Sequence, residues 1–208
     1  ELINRLQPRA VVYEDVFAPI ATAWKKPPSI EHQIEIGDDD RFEKTFLAAE
    51  NRDVNIPLAM SDTFIYIHTG GTTAVPKVCI IPHRQMIWNS VETMCNRGPE
   101  AQGTKFLLLF PFFHIGGWNI ITPMIHMGAS TVIIREFDAD KVLEVIEQEK
   151  VEVFGAVEVM LRFMLISPKF ATTDLSSLNG IVTAAAPCAK EVVQPFWERG
   201  IPTCQAYG

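Results

Sequence analysis

Tyr66-Ile67-His68-Thr69-Gly70-Gly71-Thr72-Thr73-Ala74-Val75-Pro76-Lys77 is the stretch from which the rest of the chain can be read. An apolar run, Phe64–His68, delivers the chain into a loop holding two glycines, three threonines and a lysine. Glycine accepts positive φ and leaves its backbone N–H uncovered. Successive uncovered N–H groups form a nest for an anion, to which hydroxyls add donors and lysine a point charge. The loop alone leaves two readings open, a phosphate cradle or a polar turn between a strand and a helix. It is not a Walker A loop, because Pro76 precedes Lys77 and Val78 follows it. Nor does the chain contain G-x-G-x-x-G, so a dinucleotide fingerprint has no support.

Outward from the loop, short apolar runs alternate with helical patterns. A helix is expected over His83–Asn96, a strand over Phe106–Phe110, a helix over Trp118–Met127 and a strand over Thr131–Ile134. Asp138 should cap a helix in which Val142, Leu143 and Ile146 share a face. Strands over Val151–Val157, Gly180–Ala184 and Ile201–Tyr207 follow, separated by helices at Met160–Ile166 and Lys190–Arg199. Strands this continuously apolar belong to a sheet covered on both faces, and the intervening helices supply parallel crossovers. The fold class expected is therefore α/β, with a parallel-rich sheet and helices on both faces over residues 61–208. Residues 1–60 read as a smaller α/β portion and linker. It would hold a helix at Leu2–Leu6, strands at Ala10–Tyr13 and Ile34–Ile36, and a short helix over residues 41–50.

Composition narrows the partners. A formal net charge of −7 over 208 residues argues against a nucleic-acid surface, although one loop can still hold phosphate locally. No apolar run reaches the roughly 20 residues of a membrane span. Cys79, Cys95, Cys188 and Cys204 show neither a CxxC pair nor a His/Cys metal spacing, so no protein metal site is expected. They read as reduced, mostly buried thiols of a cytoplasmic protein. The chain begins at Glu1 and stops just after a strand-like run, which reads as an excised piece of something longer.

Four motifs in order then carry a resemblance. Thr69, Gly70, Gly71, Thr72, Thr73, Pro76 and Lys77 match the T-[SG]-G-T-T-G-x-P-K-G signature of the adenylate-forming (AMP-binding) enzymes, with Ala74 and Val78 standing where glycine is usual. Phe110-Pro111-Phe112-Phe113-His114-Ile115-Gly116-Gly117 resembles their P-[LM]-F-H-x-x-G segment. Ala184-Ala185-Ala186-Pro187 is similar to G-[GA]-A-P, and Gln205-Ala206-Tyr207-Gly208 to the start of Q-x-Y-G-x-T-E. Two segments depart: Glu158 stands where relatives have proline, and Glu136 where they often carry a basic residue.

The resemblance implies roles. Thr69, Gly70, Gly71, Thr72, Thr73 and Lys77 would hold the β- and γ-phosphates of ATP. Ala185, Ala186 and Pro187 would pass along the adenine, on which Tyr207 would stack, while Gln205 and Ala206 line the nucleotide and acyl side. His114 would sit where acid and nucleotide meet. The activity implied is that of an acyl-CoA synthetase using ATP, Mg2+ and CoA. A carboxylic acid, expected to be fatty, becomes an acyl-adenylate and is then passed to the CoA thiol. A nucleotide-binding or structural module without catalysis is the alternative.

Overall fold

The computed structural model describes residues 2–37, 43–44, 47–49, 55–69, 77–97 and 103–207. These fall into two compact units, Glu1–Pro57 and Leu58–Gly208. In the first, helix α1 (Leu2–Leu6) precedes strand β1 (Ala10–Glu14). A short 3-10 turn (Asp15–Phe17) and helix α2 (Ala18–Ala23) then lead to strand β2 (His32–Ile36), which pairs with β1 in parallel. Arg9 reaches Glu31 through two hydrogen bonds of 3.0 and 2.7 Å beside that pairing. The helix expected over 41–50 lies largely outside the described residues.

The second unit opens with a correction. Strand β3 (Thr63–His68) is followed by a second strand, β4 (Val78–Pro82), before helix α3 (His83–Arg97) begins. The two strands pair antiparallel, with His68 opposite Val78 and Ile67 opposite Cys79. The Gly/Thr loop thus spans a hairpin and does not join a strand to a helix. Val78-Cys79-Ile80-Ile81 is too short an apolar run, and too close to Pro82 and the glycines, to stand out by pattern. Pairing across the hairpin, which has no periodic trace in the sequence, is what makes it a strand. Ile67 and Ile81 bury against Met86 of α3, with Ile65, Ile115 and Trp118 packed around them.

The main sheet follows. Strand β5 (Lys105–Leu108), helix α4 (Ile115–Met127), strand β6 (Ser130–Ile133), helix α5 (Ala139–Glu149), strand β7 (Val153–Ala156), helix α6 (Glu158–Ile166), strand β8 (Gly180–Thr183), helix α7 (Lys190–Glu198) and strand β9 (Thr203–Gln205) alternate along the chain. The five strands lie in the order β6-β5-β7-β8-β9, every pair parallel. The fold class is α/β as the pattern implied, and alternation along the strands shows both faces covered. Phe106 and Val153 bury beneath Met124 and Ile120 of α4. Their neighbours Leu107 and Phe154 face the opposite way, into a core built with Val142, Leu143 and Ile146 of α5, Leu161 and Met164 of α6, and Val192 and Phe196 of α7. Burying a large aliphatic or aromatic side chain contributes about 1.5–3 kcal/mol, so this second core is the main source of stability.

In the main sheet the carboxyl ends of the strands fall one or two residues inside the sequence reading. Phe110 and Ala184 extend past their strands because the apolar run continues into the loops that line a cavity. Strand order reverses at β5: the chain goes to β6 on one side, then crosses back to β7 on the other. At such a switch point the two flanking connections diverge and leave a crevice outside the carboxyl ends of the strands, the usual ligand position in open parallel sheets.

Candidate active site

That crevice is filled by a cavity of about 650 Å³. Phe110, Pro111 and His114, after β5, form one wall, and Val157 and Met160, after β7, form another. Ala184, Ala185 and Ala206, beyond β8 and β9, close its mouth.

His114 is placed by the turn that starts α4. Its own N–H donates to the Pro111 carbonyl at 3.1 Å, and the Trp118 indole donates to the Phe112 carbonyl at 2.7 Å. Gly117 is required here, because a Cβ would stand 2.8 Å from the Pro111 oxygen. With extended φ and ψ (−110° and 144°) His114 caps the helix, its Nδ1 accepting the Gly116 N–H at 2.9 Å. A ring whose Nδ1 accepts carries its proton on Nε2 when neutral. The residue therefore presents an Nε2–H donor, suited to orienting an oxygen rather than removing a proton.

Across the mouth, the loop after β8 holds Ala185 at φ +73°, a left-handed conformation that costs an alanine about 1–2 kcal/mol. Gln205 at the end of β9 fixes this loop from both sides. Its Oε1 accepts the Cys188 N–H at 2.9 Å, and its Nε2 donates to the Ala186 carbonyl at 2.8 Å. The Ala206 N–H continues the ladder, donating to the Thr183 carbonyl at 2.7 Å. Ala185, Ala186, Pro187, Gln205, Ala206 and Tyr207 together line a second, shallower cavity of about 440 Å³. Ala185 and Ala206 belong to both cavities, so the two are contiguous. Tyr207 is fully exposed and free to stack. Gln205, expected only to line the site, has its amide engaged in holding the loop; this is a positioning role the pattern did not suggest.

The loop at Thr69–Lys77 is described only at its base. Thr69 donates its N–H to the Lys77 carbonyl at 2.9 Å, closing the hairpin neck. Gly70, Gly71, Thr72 and Thr73 lie outside the described residues, and neither Thr69 nor Lys77 lines the two cavities. Glu158, which follows the run expected as a strand, is the first residue of α6. There it pairs with Arg162 at 2.6 Å, and a carboxylate suits a helix N-terminus. Cys188 is half-buried behind the loop, and burial pushes its thiol pKa up; Cys79, Cys95 and Cys204 are exposed, contrary to the expectation of mostly buried thiols.

Of the deep lining, which also holds Ile120 and Met124, sequence reasoning missed Phe106, Val153 and Gly155. They read as ordinary core, and only the strand order, which no local pattern encodes, shows that they border a crevice. Gly155 held a weak signal. A Cβ there would lie 3.1 Å from Ile120 Cδ1 and 3.3 Å from Phe110, so the glycine makes room for the side chains that shape the cavity.

A parallel sheet with a largely apolar cavity at its switch point has the architecture of an α/β small-molecule-binding domain. The sequence comparisons agree with that class. The family profile of the AMP-binding enzymes matches residues 1–208, and the chain belongs to that family. It is similar to an indoleacetate–CoA ligase of Aromatoleum aromaticum, 33% identical over 68% of this chain and 28% of that protein. A long-chain-fatty-acid–CoA ligase of Mycobacterium tuberculosis is 25% identical over 96% of this chain and 40% of the relative. Among solved structures, the N-terminal domain of FACL13 from Mycobacterium tuberculosis superposes with a TM-score of 0.87 at 23% identity. That match covers all of this chain and 52% of the other. The chain thus spans well under two thirds of the length of the proteins it matches.

Proposed function

We propose that these residues form the nucleotide- and acyl-binding part of a longer ATP-dependent acid–thiol ligase. The enzyme would join a carboxylic acid with an apolar body to AMP and then to CoA. The contiguity of the two cavities through Ala185 and Ala206 carries this reading. An acyl-adenylate has that shape, a flat base on a ribose phosphate joined through a mixed anhydride to an oily tail. The adenine would lie against the Ala185–Pro187 loop under Tyr207, and the tail would run into the large cavity. The junction would then fall near His114, whose Nε2–H can hold a carboxylate oxygen in line for attack on the α-phosphate. Such displacements depend on positioning and charge neutralisation more than on a protein nucleophile.

The residues Thr69, Gly70, Gly71, Thr72, Thr73 and Lys77 would take the departing pyrophosphate end. Among the described residues no three His, Cys, Asp or Glu side chains cluster to cage a cation. Mg2+ would be held partly by the nucleotide's own phosphate oxygens. No described helix is long and apolar enough to cross a membrane. The free thiols of Cys79, Cys95, Cys188 and Cys204 suit work in the reducing cytoplasm. On its own, this part is expected to bind without catalysing adenylation, because the proteins it matches are two to three times longer.

Calorimetric titration with AMP, with acetate and with a non-hydrolysable acetyl-sulfamoyl adenosine tests the reading. The joined molecule should bind at one site, more tightly than either half, and compete with both. Independent binding of AMP and acetate, neither displaced by the joined molecule, would contradict it.

A further inference from the structure

Resting on that reading, we infer that the large cavity selects acids with an uncharged tail of bounded, medium length, and that Met124 and Phe106 set the bound.

The cavity has a clear mouth and a clear end. At the mouth Phe113 is 70% exposed, and His114, Ala185 and Ala206 are exposed too. At the other end Phe106, Met124 and Val153 are 3%, 2% and 6% exposed and pack on one another. Between them, Gly116, Ile120 and Met124 recur at every fourth residue of α4 and so lie along one face of the helix. Eight residues of helix from Gly116 to Met124 advance about 12 Å. That accommodates a medium-length acyl chain or an aryl ring on a short spacer, and it falls short of a long fatty tail.

The lining contains no Asp, Glu, Lys or Arg among the described residues, and its polar side chains are few. Asn119 and His114 stand on the helix side, and the Thr93 hydroxyl already donates to the Asn89 carbonyl at 2.8 Å. A second carboxylate at the end of the tail would be desolvated there with no counter-charge, which strongly disfavours binding. Met124 is the adjustable part of this end, an unbranched side chain that fills the gap between Phe106 and Val153.

The test is a calorimetric series of acyl-sulfamoyl adenosines with acetyl, hexanoyl, octanoyl, decanoyl, dodecanoyl and palmitoyl tails. An octanoyl analogue bearing a terminal carboxylate completes it. Affinity should rise about fourfold per buried methylene through the medium range, then level or fall. The carboxylated analogue should bind no better than the acetyl one. Met124→Ala should move the break to a longer tail, while Met124→Leu should leave it in place; melts of both show whether each folds. If Met124→Ala does not fold, Met124→Val makes the same test with a smaller cut. A steady rise to palmitoyl in the unaltered chain overturns the inference alone, as does equal binding of the carboxylated and plain octanoyl tails. Failure of even the acetyl compound to bind overturns the proposed function and this inference together.

Discussion

Ala185 holds its left-handed conformation because neighbours on both sides fix the loop: Gln205 bonds the backbone at Ala186 and at Cys188. Strain kept in place by surrounding bonds concentrates at binding sites, where it aims the backbone. Ala185→Gly would remove about 1–2 kcal/mol of strain but restore about 0.4–1 kcal/mol of unfolded-state entropy. The net expectation is a small gain, a rise of about 1–4 °C in the melting midpoint for a chain of this size. Scanning calorimetry decides it, and a lowered midpoint would mean that the alanine's methyl packs well enough to outweigh its backbone. Ala185 lines one cavity with Ala186 and Tyr207, and the motif could not give the sign of its φ, because the same letters suit a relaxed turn. His114 shows a similar limit. Its motif marks it as a site residue, but its tautomer follows from the Gly116 N–H two residues on, a bond visible only once α4 is in place.

Among the elements, the connection from α6 to β8 is the longest within the main sheet, and the structure fixes it tightly. Leu175 and Leu178 anchor it in the core, and Arg199 donates to the carbonyls of Phe170 and Thr173. Glu144 of α5 pairs with Lys169. Asp174 accepts the Ser176 N–H and pairs with Lys150 at 3.1 Å. The hydrogen bonds to Ser176, then the Lys150 ammonium, hold the Asp174 carboxyl well below the usual carboxylate range, and the Lys169 ammonium lowers that of Glu144. Carboxyls depressed in the folded state stabilise it fully above their unfolded values, and that stability is lost as pH falls towards the folded ones. The ordinary values are 3.8 and 4.5. The melting midpoint should therefore be flat above about pH 5.5 and fall progressively below about pH 4.5. Asp174→Asn should make the fall shallower; an equal fall in that variant would assign the acid sensitivity elsewhere. Helices α5 and α7 could be read from sequence because each buries one periodic face. Strand β4 could not, since its only warrant is pairing with β3 across the hairpin.

For the whole molecule, sequence pattern supplied the alternation of strands and helices and thereby the parallel sheet. It did not supply the order β6-β5-β7-β8-β9, because register and neighbour choice are settled by tertiary packing. The cavity depends on that order: it exists because the chain reverses direction across the sheet at β5. Motif residues such as His114, Ala185 and Ala206 stand at its rim, and Phe106, Val153 and Gly155 of its interior carry no motif. Both sides of the rim meet at Ala185 and Ala206, where the proposed adenylate would bridge base and tail. The most direct measurement is exchange of labelled pyrophosphate into ATP, made with the chain carried to the length of its relatives and, in parallel, with these 208 residues alone. The account predicts exchange in the longer protein that depends on added medium-chain acid, and none in the shorter one. Exchange that ignores the acid, or its absence from the longer protein with every acid tried, would contradict it.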